Sequence, residues 1–286
     1  MKLLSTGESN TKLRKSSGLG LLLFGLSLRA ADGSGYDVCP FRTAGCTKAC
    51  VLEHAGRSNM PSVRKARTRK TRLYFENREQ FIAELDADLY LVERQAQRAG
   101  LAPCVRLNVA SDIAWEIKHP ELFANHPTIN FYDYTKWTKH RFDHALAGSG
   151  YTGKHMPSNY HLTYSHNEET PVNDYGTSYS SELLAAGVNV AIVYDTIYNP
   201  TQNKIGTLPT SWRIDGDRMS SIYKYDVIDG DTHDIRIAEF DNSAQPADDT
   251  RGVIVGLRGK GGKRQVIDGV DAGFIMPTIG GTAYIQ

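Results

Sequence analysis

The sequence predicts an α/β fold whose mainly parallel sheet closes fully or in part into a β/α barrel, with a cysteine-bearing loop after the first strand. Three observations lead there. Compact β-rich runs alternate with helical or irregular connections, the pattern of repeated strand–helix units. Each run ends, on its C-terminal side, in polar or charged residues that a hydrophobic core would not choose. Three of the chain's four cysteines fall within twelve residues shortly after the first run. In a parallel barrel of the TIM type, successive strands end on one face, and that face carries the active site.

The 286 residues and 31.7 kDa suffice for one large domain with a sizeable core, and residues 1–286 are read as a single domain. Residues 18–29 form a glycine-interrupted apolar run, read as a buried strand. Its most apolar part, 18–28, has 11 residues, whereas a membrane-spanning helix needs ~20. Charges of both signs precede it and no small-residue cleavage site follows, which argues against a signal peptide. The expected location is the cytoplasm, with no membrane partner. Residues 30–57 are loop-rich. From 61 to 99 the pattern turns helical: Val63, Ala66 and Lys70 share one side, then Leu73, Phe81, Leu85, Leu89 and Val92 recur at three- and four-residue spacing. Gly100 and Pro103 end that helix. Residues 105–109, 129–134, 160–165, 188–194 and 252–257 read as strands, with 226–228 a further short one. Residues 115–123 and 180–186 serve as connections, and 263–286 as a C-terminal tail.

The polar strand ends supply the candidate site. Ser111 and Asp112 follow the second strand, Thr135 and Lys136 the third, Ser165 and His166 the fourth, and Asp195 the fifth. Asp229 and Asp231 follow the short run, and Arg258 and Lys260 the last. Strand alternation sends Arg106 and Asn108 to one face, where inward-pointing polar residues need partners. Asp112 and Glu116, four apart, could share one side of a helix, although Ser111 or Asp112 could equally be its N-cap. The acidic turn around Asp229 and Asp231 suits a hard cation or, more commonly for Asp-Gly, a hairpin.

Cys39, Cys46 and Cys50 have a C-x6-C-x3-C spacing. Thiolates are soft ligands suited to zinc or iron–sulfur clusters, and in the cytosol such crowding points to metal rather than disulfides. His54 or Cys104 could complete a four-ligand zinc site, while three thiolates alone would leave one iron of a cluster open. The competing reading is three buried, inert cysteines. Lys+Arg 33 against Asp+Glu 32 gives net +1, so any nucleic-acid contact must come from a local patch. Residues 57–72 provide one, with seven cations and no acid. Arg64, Arg67 and Lys70 are the candidates for nucleotide or nucleic-acid phosphate, against the commoner fate of a solvated helix face.

These residues also carry a resemblance. The segments Lys2-Leu-Leu-Ser-Thr-Gly, Ser34-Gly-Tyr-Asp-Val-Cys39-Pro, Gly45-Cys46 with Cys50, Arg106-Leu-Asn108, Ser111-Asp112-Ile and Trp115-Glu116 fall in order along the chain. So do Phe131-Tyr-Asp133-Tyr134-Thr-Lys136, Asn159-Tyr-His-Leu-Thr-Tyr-Ser165, Val227-Ile-Asp229-Gly-Asp231 and Lys260-Gly261. Together the sequence resembles the phage and prophage family named after mycobacteriophage gene product eighty-eight. That resemblance implies no activity; its pattern includes Cys39, Cys46 and Cys50 but neither His54 nor Cys104, which favours a three-thiolate site. The layout more distantly resembles radical S-adenosylmethionine enzymes, in which three cysteines after the first strand hold a [4Fe–4S] cluster whose open iron binds the cofactor. The spacing here departs from their C-x3-C-x2-C, and no glycine-rich cofactor motif is evident.

The resulting expectation is an iron–sulfur metalloenzyme, radical-SAM-like, that modifies a nucleotide or nucleic acid. Cys39, Cys46 and Cys50 would hold the cluster, Arg106, Asn108, Asp112, Glu116 and Lys136 would serve catalysis, and Ser165, Asp229, Asp231 and Lys260 would bind S-adenosylmethionine or another cofactor. An alternative is a zinc-stapled, non-catalytic nucleic-acid-binding or replication accessory protein. A lesser one is a Mg²⁺-dependent hydrolase or phosphotransferase working through carboxylates.

Overall fold

The apolar run after residue 18 becomes strand β2 (Leu21–Leu26), and nearly every residue in it is buried. A strand needs that composition only when both of its faces are covered, as in a parallel sheet. The structure, a computed structural model, describes residues 1–7, 19–54, 56–138, 141–146, 156–174, 176–199, 204–205, 207–214, 223–237, 239–240, 251–260, 262–278 and 282–284. Gly18, at the start of the expected strand, lies outside them.

The strands in chain order are β1 (Leu4–Thr6), β2, β3 (Ala102–Arg106), β4 (Asn130–Thr135), β5 (Tyr160–Ser165), β6 (Val190–Asn199), β7 (Lys204–Ile205), β8 (Ser211–Ile214), β9 (Tyr223–Asp229), β10 (Ile254–Gly259) and β11 (Thr282–Tyr284). Across the sheet the order is β1-β2-β3-β4-β5-β6-β10-β9-β8-β11, with β7 paired to β6. From β2 to β9 every neighbour is parallel. β1 runs antiparallel to β2, and β8 antiparallel to β9. Consecutive parallel strands lie side by side through β6, the order of a singly wound sheet whose right-handed crossovers share a face. The sheet is open, ending at β1 and β11, so no closed barrel forms among the described residues.

The helices are α1 (Ala44–Lys48), α2 (Val51–His54), α3 (Pro61–Glu76), α4 (Arg78–Ala99), α5 (Trp115–Lys118), α6 (Glu121–Asn125), α7 (Asp143–Leu146), α8 (Tyr179–Ala185) and α9 (Lys263–Asp271), with a 3-10 turn at Gly56–Asn59. The single helix expected over 61–99 is two. Asn77 leaves helical geometry, ends α3, and caps α4 by accepting from the Gln80 N–H at 3.2 Å. Gly100, in the left-handed region at φ 64°, closes α4.

The two faces of the sheet have different cover. Phe24, Leu26, Val105, Leu107 and Phe131 pack with Phe81, Leu85, Leu89 and Val92 of α4. On the other face, Leu21, Leu23, Cys104 and Tyr132 pack under Ile235 and Ile237, from the segment that follows β9. Three sequence expectations shift. The second predicted strand ends at Arg106 instead of Val109, because Asn108 organises a turn there. The Asp-Gly turn is no hairpin, since β9 and β10 run parallel. The C-terminal tail contains α9, which packs on α1 of the cysteine segment: a Cβ on Gly269 would come within 3.2 Å of the Ala49 Cβ.

Candidate functional site

The segment after β2 is tied down from several sides. The Val38 carbonyl accepts from the Asp112 N–H at 2.8 Å, and the Asp37 carboxylate accepts from the Cys39 N–H at 2.8 Å. Thr43 caps α1 by accepting from the Cys46 N–H at 3.1 Å. Glu168, from the loop after β5, accepts from the Thr43 hydroxyl at 2.8 Å and the Gly45 N–H at 2.6 Å. Phe41 stacks on Trp137 with ring centroids 4.5 Å apart. Gly45 is required by close approach: a Cβ there would lie 2.6 Å from the Phe274 Cβ and 2.7 Å from Glu168 Oε1. The cysteine segment is thereby fastened across the C-terminal ends of β3, β4 and β5.

Lys136, just past β4, stands at the middle of this edge. Its Nζ lies 3.4 Å from the Ser165 hydroxyl and 5.5 Å from the centre of the Phe274 ring. Burial pulls its pKa down, but the Cys46 sulfur, the Asp112 carboxylate and Cys39 outweigh burial and hold the ammonium above its ordinary value. Burial pushes the Cys39 thiol up to about 12 and raises Cys50 as well. Cys46 lies within electrostatic reach of both other thiols. The donors match a soft metal or a cluster in kind: three half-buried sulfurs on one short segment. Their placement does not match. Among the described residues no three His, Cys, Asp or Glu side chains are gathered as a metal would require. Cys104 packs with Leu23 and Tyr132, apart from the segment, and the His54 side chain lies outside the described residues.

Asp112 and Glu116 meet through Arg141, a residue the sequence reading passed over. Its guanidinium donates to both Glu116 oxygens at 2.6 and 2.9 Å, to the Thr135 hydroxyl at 2.7 Å and to the Tyr160 hydroxyl at 3.3 Å. Asp112 sits 3.4 Å from the same group and accepts from the Thr135 hydroxyl at 2.7 Å and the Lys136 N–H at 2.8 Å. Asp112 therefore clamps β3 to β4 and sets the backbone position of Lys136. Asn108 is equally engaged: its carbonyl oxygen accepts from the Ser111 hydroxyl, the Ile113 N–H and the Trp115 indole at 2.8–3.1 Å. Arg106 is ion-paired to Asp234, lies 4.7 Å from the Tyr134 ring centre, and has its Nε 3.8 Å from the Asp133 carboxylate. Asp133 accepts from the Asn108 N–H and the Tyr160 hydroxyl, and burial lifts its carboxyl to about 7 against the opposing pull of Arg106.

The remaining candidates lie elsewhere. Asp229 and Asp231 are held by Arg258, whose Nη1 is 2.8 and 3.3 Å from them, and Lys260 also binds Asp231. This cluster sits across β6 and β10 from β5, away from the thiols. Asp195 accepts from Thr278, and His166 pairs with the Ser180 hydroxyl at 2.8 Å. In α3, Lys70 is turned inward to the Leu3 carbonyl, Arg64 to the Glu53 carbonyl and Asn59, and Arg67 to Ser58. The exposed cations are Lys65, Arg69 and Arg72, which share one helix face at four- and three-residue spacing.

Sequence reasoning also missed Glu168 and Phe274. Both are far in sequence from the residues they hold, and no local spacing signals such partners. Fold and site together define a singly wound, open α/β protein with a thiol-bearing segment fastened over the C-terminal edge of its parallel strands. The chain belongs to the phage Gene product 88 family, whose model matches residues 2–275. No curated protein and no solved structure matches it. No helix among the described residues is long and apolar enough to cross a membrane.

Proposed function

We propose that the chain is a metalloenzyme whose reaction centre lies at the C-terminal edge of the β2–β5 strands, with Cys39, Cys46 and Cys50 as ligands of an iron–sulfur cluster and a partial β/α barrel as the frame. The observation that supports this reading is the fastening of the three-thiol segment over the strand ends, beside Lys136 and Ser165; the sulfurs are not gathered as they stand, so holding a cluster would require them to draw together. A cluster held by three thiolates supplies an open iron for a small ligand such as S-adenosylmethionine. The chain's own part is positional. Asp112 and Thr135 hold Lys136 at the edge, where its ammonium and the Ser165 hydroxyl can orient an anionic or polar ligand. Phe274 belongs to the apolar cluster that packs against Cys46 and limits water there. Burial that raises Cys39 and Cys50 makes bare thiols poor nucleophiles, which weighs against simple cysteine catalysis. A nucleotide or nucleic acid is the proposed substrate class.

The test is anaerobic purification followed by iron, sulfide and zinc analysis with an absorbance spectrum. The expected result is a brown protein that loses iron and sulfide in each of Cys39→Ser, Cys46→Ser and Cys50→Ser but keeps them in Cys104→Ser. A colourless protein with one zinc and no sulfide would replace this reading by the zinc-stapled one. A protein with no metal at all would overturn both. The Mg²⁺ reading has less support, since Asp112 and Asp231 are engaged by Arg141, Arg258 and Lys260.

A further inference from the structure

Beside the thiol segment lies a group of arginines with too little acid. Arg29, Arg64 and Arg67 gather around Glu53 of α2. Arg29 is ion-paired to the Glu53 carboxylate, and both side chains are mostly buried, at 11% and 18% exposure. Arg64 reaches the Glu53 carbonyl at 3.0 Å and Asn59 at 2.6 Å, and its Nε is buried without a hydrogen-bond partner. Arg67 donates to the Ser58 hydroxyl at 3.3 Å. It feels the like charge of Arg29, and Cys50 is within its electrostatic reach. Among the described residues no carboxylate comes within ion-pair distance of Arg64 or Arg67. Only Arg29 is paired to the Glu53 carboxylate; Arg64 meets the main chain of the same residue, and Arg67 lies within electrostatic reach of both Glu53 and Arg29.

Such an arrangement is costly as it stands. A buried cation wants a counter-charge, and a buried N–H donor wants an acceptor. The geometry is also selective: guanidinium forks suit the oxygens of a phosphate, which accepts several charge-assisted hydrogen bonds at once. We propose that Arg29, Arg64 and Arg67 form a binding site for a single phosphate group, carried by a mononucleotide or free in solution, next to Cys50. The inference deepens the proposed function by giving its substrate class an anchor. It keeps Arg64 and Arg67 of the residues expected to meet phosphate and replaces Lys70, which is turned to the Leu3 carbonyl, by Arg29 on the side facing α2. The exposed residues Lys65, Arg69 and Arg72 take no part.

Calorimetric titration of the full chain at low salt separates the possibilities, with inorganic phosphate, adenosine monophosphate and adenosine as probes. Phosphate and the monophosphate should bind and adenosine should not. Tighter binding of the monophosphate than of phosphate identifies a nucleotide as the ligand; equal affinity identifies the free anion. Arg67→Gln and Arg64→Gln should each weaken phosphate at least tenfold, and Arg69→Gln should change it less than twofold. If a glutamine variant unfolds, Arg64→Lys provides the second reading: it keeps the charge, loses the fork, and should still weaken binding several-fold. No heat with phosphate in the wild type, or an equal loss in Arg69→Gln, would overturn the site. Iron and sulfide content measured on the same protein reports on the cluster separately, and Cys50→Ser should lose the metal while retaining phosphate.

Discussion

Two acidic groups occupy the same edge of the sheet, and they are built differently. Around Arg141, the guanidinium has no exposed side-chain surface, with Glu116 at 6% and Asp112 at 11%. Around Arg258, the arginine and Asp231 are buried at 7% and 6%, but Asp229 is 38% and Lys260 32% exposed. This second group borders an open groove of about 420 Å³ lined by Thr207, Leu208, Pro209, Thr210, Val227, Asp229 and Arg258. The same residue types are thus a sealed brace in one place and a cluster wet on one side in the other. Water screens the second and lowers the worth of each pair. In the first, removing one partner leaves charge stranded in the interior. The sealed group is therefore a frame for Lys136, and its carboxylates hold the site in place.

The sharpest way to break that contrast is to remove each arginine in turn. Arg141→Ala should destabilise by about 3–5 kcal/mol, because Glu116 and Asp112 would be left buried and unpaired. Arg258→Ala should cost on the order of 1–2 kcal/mol, since water can reach Asp229. Urea unfolding followed by far-ultraviolet circular dichroism measures both. Equal losses would mean that the two groups do not differ in kind. Next comes the fastening of the thiol segment. Glu168→Ala removes two charge-assisted hydrogen bonds and should cost roughly 2–3 kcal/mol. It should also speed maleimide labelling of Cys39 and Cys46 in the metal-free protein. Unchanged labelling would show that the segment is held by its packing on α9 and Trp137 instead.

Much of the frame was legible, and the reason is local. The strands at 129–134, 160–165 and 252–257 announce themselves by apolar composition, and Phe81, Leu85, Leu89 and Val92 by helical spacing. The polar ends of those strands come to one edge because the pairing is parallel. What could not be read is which polar residues use each other up. Asn108 and Arg106 both read as catalytic residues, yet Asn108 is taken up by a turn and Arg106 by Asp234, 128 residues further along the chain. Arg141, Glu168 and Phe274 left no spacing signal, since their contacts exist only once the sheet has formed. The orientation of the basic run was beyond the sequence for a related reason. Composition shows seven cations, but only the helix phase set against α2 decides that Arg64 and Arg67 face inward while Lys65, Arg69 and Arg72 face out.

Asp133 sharpens the comparison at the smallest scale. It belongs to the sealed side, bonded to Tyr160 and the Asn108 N–H, and its carboxyl is raised from 3.8 to about 7 by burial. Between those two values the folded protein keeps a proton that the unfolded chain has lost. The stabilisation linked to that proton is complete below about pH 4 and fades as pH rises through about 7. Asp133→Asn removes the titration and keeps an acceptor for the Asn108 N–H. The variant should therefore be less stable than or equal to the wild type near pH 4.5 and gain on it by pH 8, by roughly 3 kcal/mol. If Asp133→Asn instead loses ground as pH rises, the carboxyl is ionised in the fold, and Arg106 or Arg141 rather than burial governs it.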